Sequence, residues 1–225
     1  MEFASAASAS AVCSYCRSTL VRDGEALRRI GVSAELFDDH TPLQLGVQGR
    51  LQGEAFTLVG RLQMGYADGT WNEWHALFDH GRSGWLSEDN GAYVFCFEPE
   101  PPPDRPDPST LKAGTRTLAD GRAWDVAVVV RAHVIAAEGE LPRPPRLAGE
   151  FNVVDLRNAQ GEVATVDDAD PEDPGWSVGR SVLLADLALT GLRDTAAKTL
   201  KARGTSCPSC GAALEIQLAS TKSLS

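Results

Sequence analysis

Four cysteines in two Cys-x-x-Cys pairs are the residues whose spacing most directly suggests chemistry. Cys13 and Cys16 form the first pair, and Cys207 and Cys210 form the second. A tight turn between two such cysteines directs both thiolates at one metal ion, and structural zinc takes four ligands of this kind. The pairs therefore predict zinc as a structural cofactor, with no open coordination position for catalysis.

Three arrangements of these cysteines remain open. The two pairs can close one site between the chain ends, although the ~190 residues between them exceed the usual spacer. Alternatively, each pair is half of a separate zinc ribbon that the sequence interrupts, so that both terminal segments are incomplete. The third arrangement is four reduced thiols without a metal ion.

Glu73, His75 and Asp79 are the candidates for an acid–base or ligand-binding site. Glu73 and His75 are two residues apart in a predicted strand, so their side chains share one face. The sequence supplies no nucleophile, oxyanion donor or phosphate-binding loop beside them, and a polar strand face is the simpler interpretation. We therefore favour a protein that is not an enzyme, with an enzyme or small-ligand binder that uses these three residues in a pocket as the alternative.

Trp71, Arg82 and Trp85 are the candidates for partner binding, because aromatic and Arg side chains dominate the energetics of protein interfaces. All three lie in the stretch 71–97, WNEWHALFDHGRSGWLSEDNGAYVFCF. Its alternating polar and apolar residues predict consecutive strands, and Asn90-Gly91 is a strong hairpin signal. We expect an adaptor that presents this stretch to a protein partner.

The elements that must position these residues are β-strands, because 21 Gly and 13 Pro among 225 residues supply many turns. We predict a mainly β fold with two small antiparallel β-barrel-like modules in tandem, short C-terminal helices, one of them over 194–203, and zinc-ribbon knuckles at the ends. The predicted domains are a zinc-ribbon half (1–22), a first β module (23–98), a Pro-rich linker (99–110), a second β module (111–192), and a helical linker with the second zinc-ribbon half (193–225).

The net charge of −10 argues against nucleic-acid binding, since phosphate backbones repel an acidic protein. No apolar run approaches the ~20 residues that cross a bilayer, so no direct membrane insertion is expected. The N-terminus lacks the features of a signal peptide, and we expect a cytoplasmic protein.

Three stretches of the chain resemble one bacterial family. Ser18 to Gly24, Leu43 to Gln63 and Trp71 to Glu88 are similar to motifs of the family catalogued as domain of unknown function 4178, and shorter matches follow at 137–142 and 178–180. The resemblance covers most of residues 13–210 and implies no reaction. It implies zinc ribbons at the ends and an association with membrane-stress proteins of the phage-shock type or with polyamine synthesis.

Overall fold

A computed structural model describes residues 8–23, 26–34, 36 and 40–193, together with 205–206 and 213–214. The chain divides into two compact units, residues 1–192 and residues 193–225. Cys207 and Cys210, and the helix predicted over 194–203, lie outside the described residues.

Paired strands form most of the first unit, which confirms the prediction of a mainly β, antiparallel fold. The strands are β1 (Ser10–Val12), β2 (Ser18–Asp23), β3 (Ala26–Val32), β4 (Gln48–Leu51), β5 (Glu54–Tyr66), β6 (Gly69–Phe78), β7 (Ser83–Asp89), β8 (Ala92–Phe97), β9 (Arg116–Ala119), β10 (Arg122–Leu141), β11 (Phe151–Arg157), β12 (Glu162–Asp167) and β13 (Gly175–Val182). The second unit contributes β14 (Thr205–Ser206) and β15 (Ala213–Leu214), which pair with each other.

The stretch 71–97 folds as its sequence pattern predicts. It supplies most of β6 and all of β7 and β8, and Asn90 and Gly91 form the tight turn between the last two with positive φ angles of 48° and 80°. Only residues that tolerate the left-handed region suit both positions of such a turn. Local turn chemistry and alternation were therefore sufficient here.

Eight strands follow one another around a partial ring in the order β5, β6, β7, β8, β13, β12, β11, β10. The ring returns to its start because β10 also pairs with β5. Residues 125–132 of β10 pair with β11, whereas residues 133–139 pair with β5. β10 is 20 residues long, so it can pair with β11 along its first part and with β5 along its second part.

The structure corrects the prediction of two tandem barrels. Strands β5–β8 come from the predicted first module and β10–β13 from the second, yet β8 pairs with β13 and β5 pairs with β10. Two separate meanders would each leave two strand edges with unpaired backbone groups, and edge-to-edge pairing removes all four. The Pro-rich residues 99–110 connect β8 to β9 within this single sheet.

The strands from the two predicted modules meet at two seams, where β5 pairs with β10 and β8 pairs with β13. Glycines allow the paired backbones to approach closely at both seams. A Cβ atom at Gly60 of β5 would overlap the carbonyl oxygen of Glu140, and a Cβ at Gly179 of β13 would overlap the carbonyl oxygen of Phe95. The backbones across each seam are therefore closer than any other residue type allows.

Buried cores cover the outside of the ring. Trp74, Phe78 and Leu86 project from the outer faces of β6 and β7 and pack with Leu43, Val47 and Leu187 from flanking loops. A second cluster around Trp124 and Trp176 covers β10–β13. Because these cores lie outside, the inner face of the ring remains available for another purpose.

Helical structure in the described residues is limited to two 3-10 turns, Pro108–Thr110 and Leu184–Leu187. The left-handed Ala188 ends the second turn. Within the described part of the chain, no helix has the length and apolar character needed to cross a membrane.

Candidate functional site: a cavity inside the strand ring

The ring encloses a cavity of about 840 Å³. Alternate residues of its strands line this space, such as Leu62 and Met64 on β5, Ser87 on β7 and Val153 on β11. Eight strands are the number at which a small barrel can hold one small ligand inside, and the volume lies in the range of ligand-binding pockets.

Strand β6 divides the motif Trp-Asn-Glu-Trp between the two sides of the wall. Trp71 and Glu73 face the cavity, while Asn72 and Trp74 face outward and are buried. The period-2 alternation of a strand produces this division. A motif that looks like one cluster in the sequence therefore serves two different environments.

Glu73 is the most enclosed carboxyl group of the cavity wall. Its Oε1 accepts hydrogen bonds from Trp71 Nε1 (2.7 Å) and from the Ser87 hydroxyl (3.1 Å). Burial raises the pKa of Glu73 from its usual 4.5 to about 7, and the charges of Asp155 and Asp167 add to this effect. Near neutral pH, Glu73 can therefore both accept and release a proton.

Asp155 on β11 and Asp167 on β12 line the same cavity. β12 is four strands away from β6 in either direction around the ring, so these acids face Glu73 across the space. Asp155 accepts a hydrogen bond from the Thr165 hydroxyl (2.9 Å), and Asp167 accepts one from the backbone N–H of Ala169 (3.0 Å). Burial raises the pKa of both side chains.

The sequence pattern alone does not identify Asp155 and Asp167 as site residues. Asp155 is a single acid in an apolar strand, and Asp167 begins an acidic run of the kind that is typical of a solvated loop. Asp167 instead ends β12 and points inward. Asp167 follows Val163 and Thr165 at intervals of two residues, so the three side chains share one face of β12, and all three line the cavity. This pattern is visible in the sequence, but it identifies Asp167 as a site residue only when the inward face of the strand is known.

Much of the remaining wall is apolar. Leu62, Met64, Val94, Val134 and Phe151 line the cavity. Cys96 also lines it, and burial raises the pKa of its thiol far above the usual value, so that the thiol stays protonated and unreactive. The wall thus combines apolar surface with carboxyl groups.

Two loops meet at one end of the cavity. Arg146 donates hydrogen bonds to the carbonyl oxygens of Ala169 (2.6 Å) and Asp168 (3.4 Å), which joins the β10–β11 loop to the β12–β13 loop. Arg143 forms an ion pair with Glu98 at the same end. These contacts hold the two loops together across the rim.

The three residues proposed as an acid–base or ligand site do not converge. Glu73 faces the cavity, and His75 follows on the same side of β6 but is buried in the wall. The His75 ring nitrogens hydrogen-bond with the Glu140 carbonyl oxygen (2.8 Å) and the Ser83 hydroxyl (2.9 Å), and burial lowers the pKa of His75. Asp79 lies in the exposed turn after β6 and does not line the cavity.

The three candidate partner anchors are also separated. Trp71 and Trp85 line the cavity, and the Trp85 indole N–H donates to Glu98 (3.2 Å). Arg82 is exposed outside the ring, where its guanidinium lies 4.0 Å from the Phe97 ring centroid and pairs with Glu54. Of the three, Arg82 alone has its side chain exposed on an outer surface.

Glu88 explains the outward half of the Trp-rich motif. This buried carboxylate accepts hydrogen bonds from the Thr41 hydroxyl (2.7 Å), Trp74 Nε1 (3.0 Å) and the Tyr93 hydroxyl (3.2 Å). Asn72 also donates to it and accepts from Arg61. A buried carboxylate requires such partners, so these residues have a structural role.

The first cysteine pair forms a tight turn between β1 and β2. Arg17 N–H donates to the Cys13 carbonyl oxygen (2.8 Å), and Arg17 adopts a positive φ of 56°. Hydrogen bonding by Ser18 lowers the pKa of the Cys16 thiol to about 7, which favours the thiolate form that metals bind. Among the described residues, no three His, Cys, Asp or Glu side chains are grouped to hold a metal ion.

Comparison with known proteins gives one match. A family model described as "Domain of unknown function (DUF4178)" matches residues 44–184. These residues contain every strand of the ring and its cavity. Neither a search of curated proteins nor a search of solved structures gave a match.

Proposed function

The chain belongs to the DUF4178 family, and on that premise we propose that the matched domain binds a small organic molecule inside its strand ring. The cavity of about 840 Å³ is the observation that carries this proposal. More than half of the lining residues are apolar, and charged and hydroxyl side chains are placed among them, so the wall offers both apolar surface and polar groups to a ligand. We propose binding and not a reaction because the enclosed, largely apolar wall is the property that the cavity shares with ligand pockets.

Direct binding of a neutral fluorescent probe tests this function. We expect N-phenyl-1-naphthylamine to bind saturably at one molecule per chain, with increased fluorescence. Val94→Trp fills the cavity from β8 and should weaken probe binding at least about tenfold, or about 1.4 kcal/mol. Val153→Trp repeats the test from the opposite wall, and Val32→Trp, at a half-exposed position outside the ring, is the matched control. Equal probe binding by all three variants, or no saturable binding by the native protein, contradicts the proposal.

The adaptor function predicted from the sequence has one specific observation in its favour. Arg82 is held between Phe78 and Phe97 at 4.8 and 4.0 Å from their ring centroids, and an ordered, exposed Arg is a common interface anchor. Capture of a protein partner, including a membrane-stress protein in the cytoplasm, should then be lost in folded Arg82→Ala. Unchanged capture by that variant would remove this candidate.

We further propose structural zinc at the cysteine pairs. The turn at 13–16 supports it, as does the pairing of β14 with β15 on either side of residues 207–212. Elemental analysis should find about one zinc ion per chain if Cys13, Cys16, Cys207 and Cys210 share a site. Cys13→Ser and Cys207→Ser should each then abolish zinc binding, whereas loss in one variant alone would contradict a shared site.

A further inference from the structure

The cavity carries an excess of acidic groups. Seven carboxyl side chains line it against three guanidinium groups. The acids are Glu73, Asp89, Glu98, Asp155, Asp167, Asp170 and Asp173, and the bases are Arg143, Arg146 and Arg157. The excess of acidic groups therefore favours a bound cation and disfavours a bound anion.

The basic side chains make their direct contacts with other groups, although the charge of Arg157 lowers the pKa of Asp155 and those of Arg143 and Arg105 lower the pKa of Asp167, against the larger opposing effect of burial. Arg143 pairs with Glu98, and Arg146 donates to loop carbonyl oxygens. Arg157 is exposed at the end of β11. Within the described residues, no Lys or Arg forms an ion pair with Glu73, Asp155 or Asp167.

Each of these three acids uses one carboxyl oxygen for its hydrogen bonds to described residues, which leaves its second oxygen available to a ligand. Both hydrogen bonds to Glu73 end on Oε1, and within the described part of the chain none reaches its Oε2. Asp155 accepts its side-chain hydrogen bond on Oδ1, and Asp167 accepts its backbone hydrogen bond on Oδ1. Enclosed carboxyl groups normally have a charged or hydrogen-bonding partner, and here the second oxygens belong to side chains that line the cavity, with Asp167 Oδ2 lying over Gly175 of β13.

We propose that the cavity ligand is an organic cation with an apolar body, whose protonated nitrogen binds among Glu73, Asp155 and Asp167. This inference rests on the proposed ligand-binding function and specifies the class of ligand. The nitrogen supplies an adjacent positive charge, which none of the ion pairs among the described residues gives to these acids, and N–H donors for their second oxygens. Leu62, Met64 and Phe151 offer apolar surface to the body, and the indole rings of Trp71 and Trp85 can contribute cation–π attraction.

Binding of such a cation should release protons near neutral pH. The pKa of Glu73 is about 7 without ligand, and a neighbouring positive charge would lower it. Affinity for the cation should therefore rise with pH through this range. Among the described residues, the other titratable and charged groups that face this space are Tyr66 on β5, Asp89 on β7, Cys96 and Glu98 at the end of β8, Asp155 and Arg157 on β11, Asp167 on β12, and Arg143, Arg146, Asp170 and Asp173 on the loops, with His75 buried in the adjoining wall.

Three probes with the same twelve-carbon chain test the ligand class: dodecylamine, dodecanol and dodecanoate. Each competes with N-phenyl-1-naphthylamine for the native protein at about pH 6 and about pH 8, on either side of the Glu73 pKa. We expect dodecylamine to compete at least about tenfold more strongly than dodecanol at the higher pH, with a smaller advantage at the lower pH, and dodecanoate to compete least. Calorimetry in two buffers of different ionisation enthalpy should detect the released proton.

Variants distinguish the role of the acids from a general effect of charge. Glu73→Gln and Asp155→Asn should each weaken dodecylamine binding at least about tenfold and leave dodecanol binding unchanged. Glu150→Gln removes an exposed carboxylate that pairs with Arg131 and should change neither. If dodecanol competes as well as dodecylamine, or if both acid variants bind dodecylamine normally, the cation inference is wrong while ligand binding stands. If neither the fluorescent probe nor any twelve-carbon ligand binds, the proposed function itself is wrong.

Discussion

Replacing Glu73 with Gln should stabilise the fold, and the gain should depend on pH. Gln keeps the shape of the side chain, and its amide oxygen can accept the hydrogen bonds that Trp71 and Ser87 donate to Glu73 Oε1. The substitution removes the ionisable group alone. The difference in stability between the two proteins therefore isolates the cost of holding this carboxylate inside the ring.

The magnitude follows from the pKa of Glu73, which rises from 4.5 to about 7 on folding. Below about pH 4.5 both the folded and the unfolded chain hold the proton, and the penalty is absent. Between these two values the unfolded chain loses its proton first, so the free energy of unfolding falls as pH rises. Above about pH 7 the full difference of about 3 kcal/mol applies, at about 1.36 kcal/mol per pKa unit.

Urea unfolding of both proteins at about pH 4.5 and about pH 8 measures the effect. We expect nearly equal stability at the lower pH and a gain of about 3 kcal/mol for Glu73→Gln at the higher pH. The melting temperature should rise by roughly 6–12 °C there. Glu150→Gln, at an exposed site, is the control and should change stability little at either pH. A Glu73→Gln protein that is less stable than the native one at about pH 8 would show that the carboxylate holds the ring together.

Three further predictions concern the seam, the outer network and the enclosed thiol. Gly179→Ala should destabilise the fold by about 2–4 kcal/mol because its Cβ would overlap the Phe95 carbonyl oxygen. The control Gly69→Ala, whose Cβ would be 3.5 Å from the Tyr66 ring, should destabilise the fold far less. Equal melting temperatures for the two variants would contradict the close approach of β13 to β8. Glu88→Ala should cost about 3–5 kcal/mol in urea unfolding because the Trp74, Tyr93 and Thr41 donors lose their buried acceptor, and a loss below about 1 kcal/mol would refute its central role. Cys96 should resist iodoacetamide at about pH 8 until the chain unfolds, because burial raises its pKa; peptide mapping that finds rapid native-state alkylation would contradict this.

Local features of the sequence predicted the strands but not how distant strands join. Alternation and the Asn90-Gly91 turn identified β6, β7 and β8, because both depend on residues close together in the chain. The pairings of β8 with β13 and of β5 with β10 have no local signature, and the Pro-rich residues 99–110 favoured a boundary between two modules. An eight-stranded ring was therefore interpreted as two smaller barrels.

The candidate site was predictable in part for the same reason. Glu73 was identified because it shares one face of a predicted strand with His75, and the two side chains do lie on the same side of β6. Asp155 and Asp167 belong to the site through ring closure, which places β11 and β12 opposite β6. Trp71 and Trp85 were expected on an outer surface, because the sequence alone does not distinguish an exposed face from one that lines an internal cavity.

Ring closure also sets the order in which the newly made chain can complete its fold. β13 begins at Gly175, 78 residues after β8 ends at Phe97. At ~5–20 residues per second, the ribosome needs roughly 4–16 s to supply this stretch. During that interval the edge of β8 lacks its final partner, and the edge of β5 lacks its own until residues 133–139 of β10 have been made, although the meander between them can already pair. The nascent protein therefore passes through a stage at which a chaperone, or the matching edge of another nascent chain, can compete for the same strands.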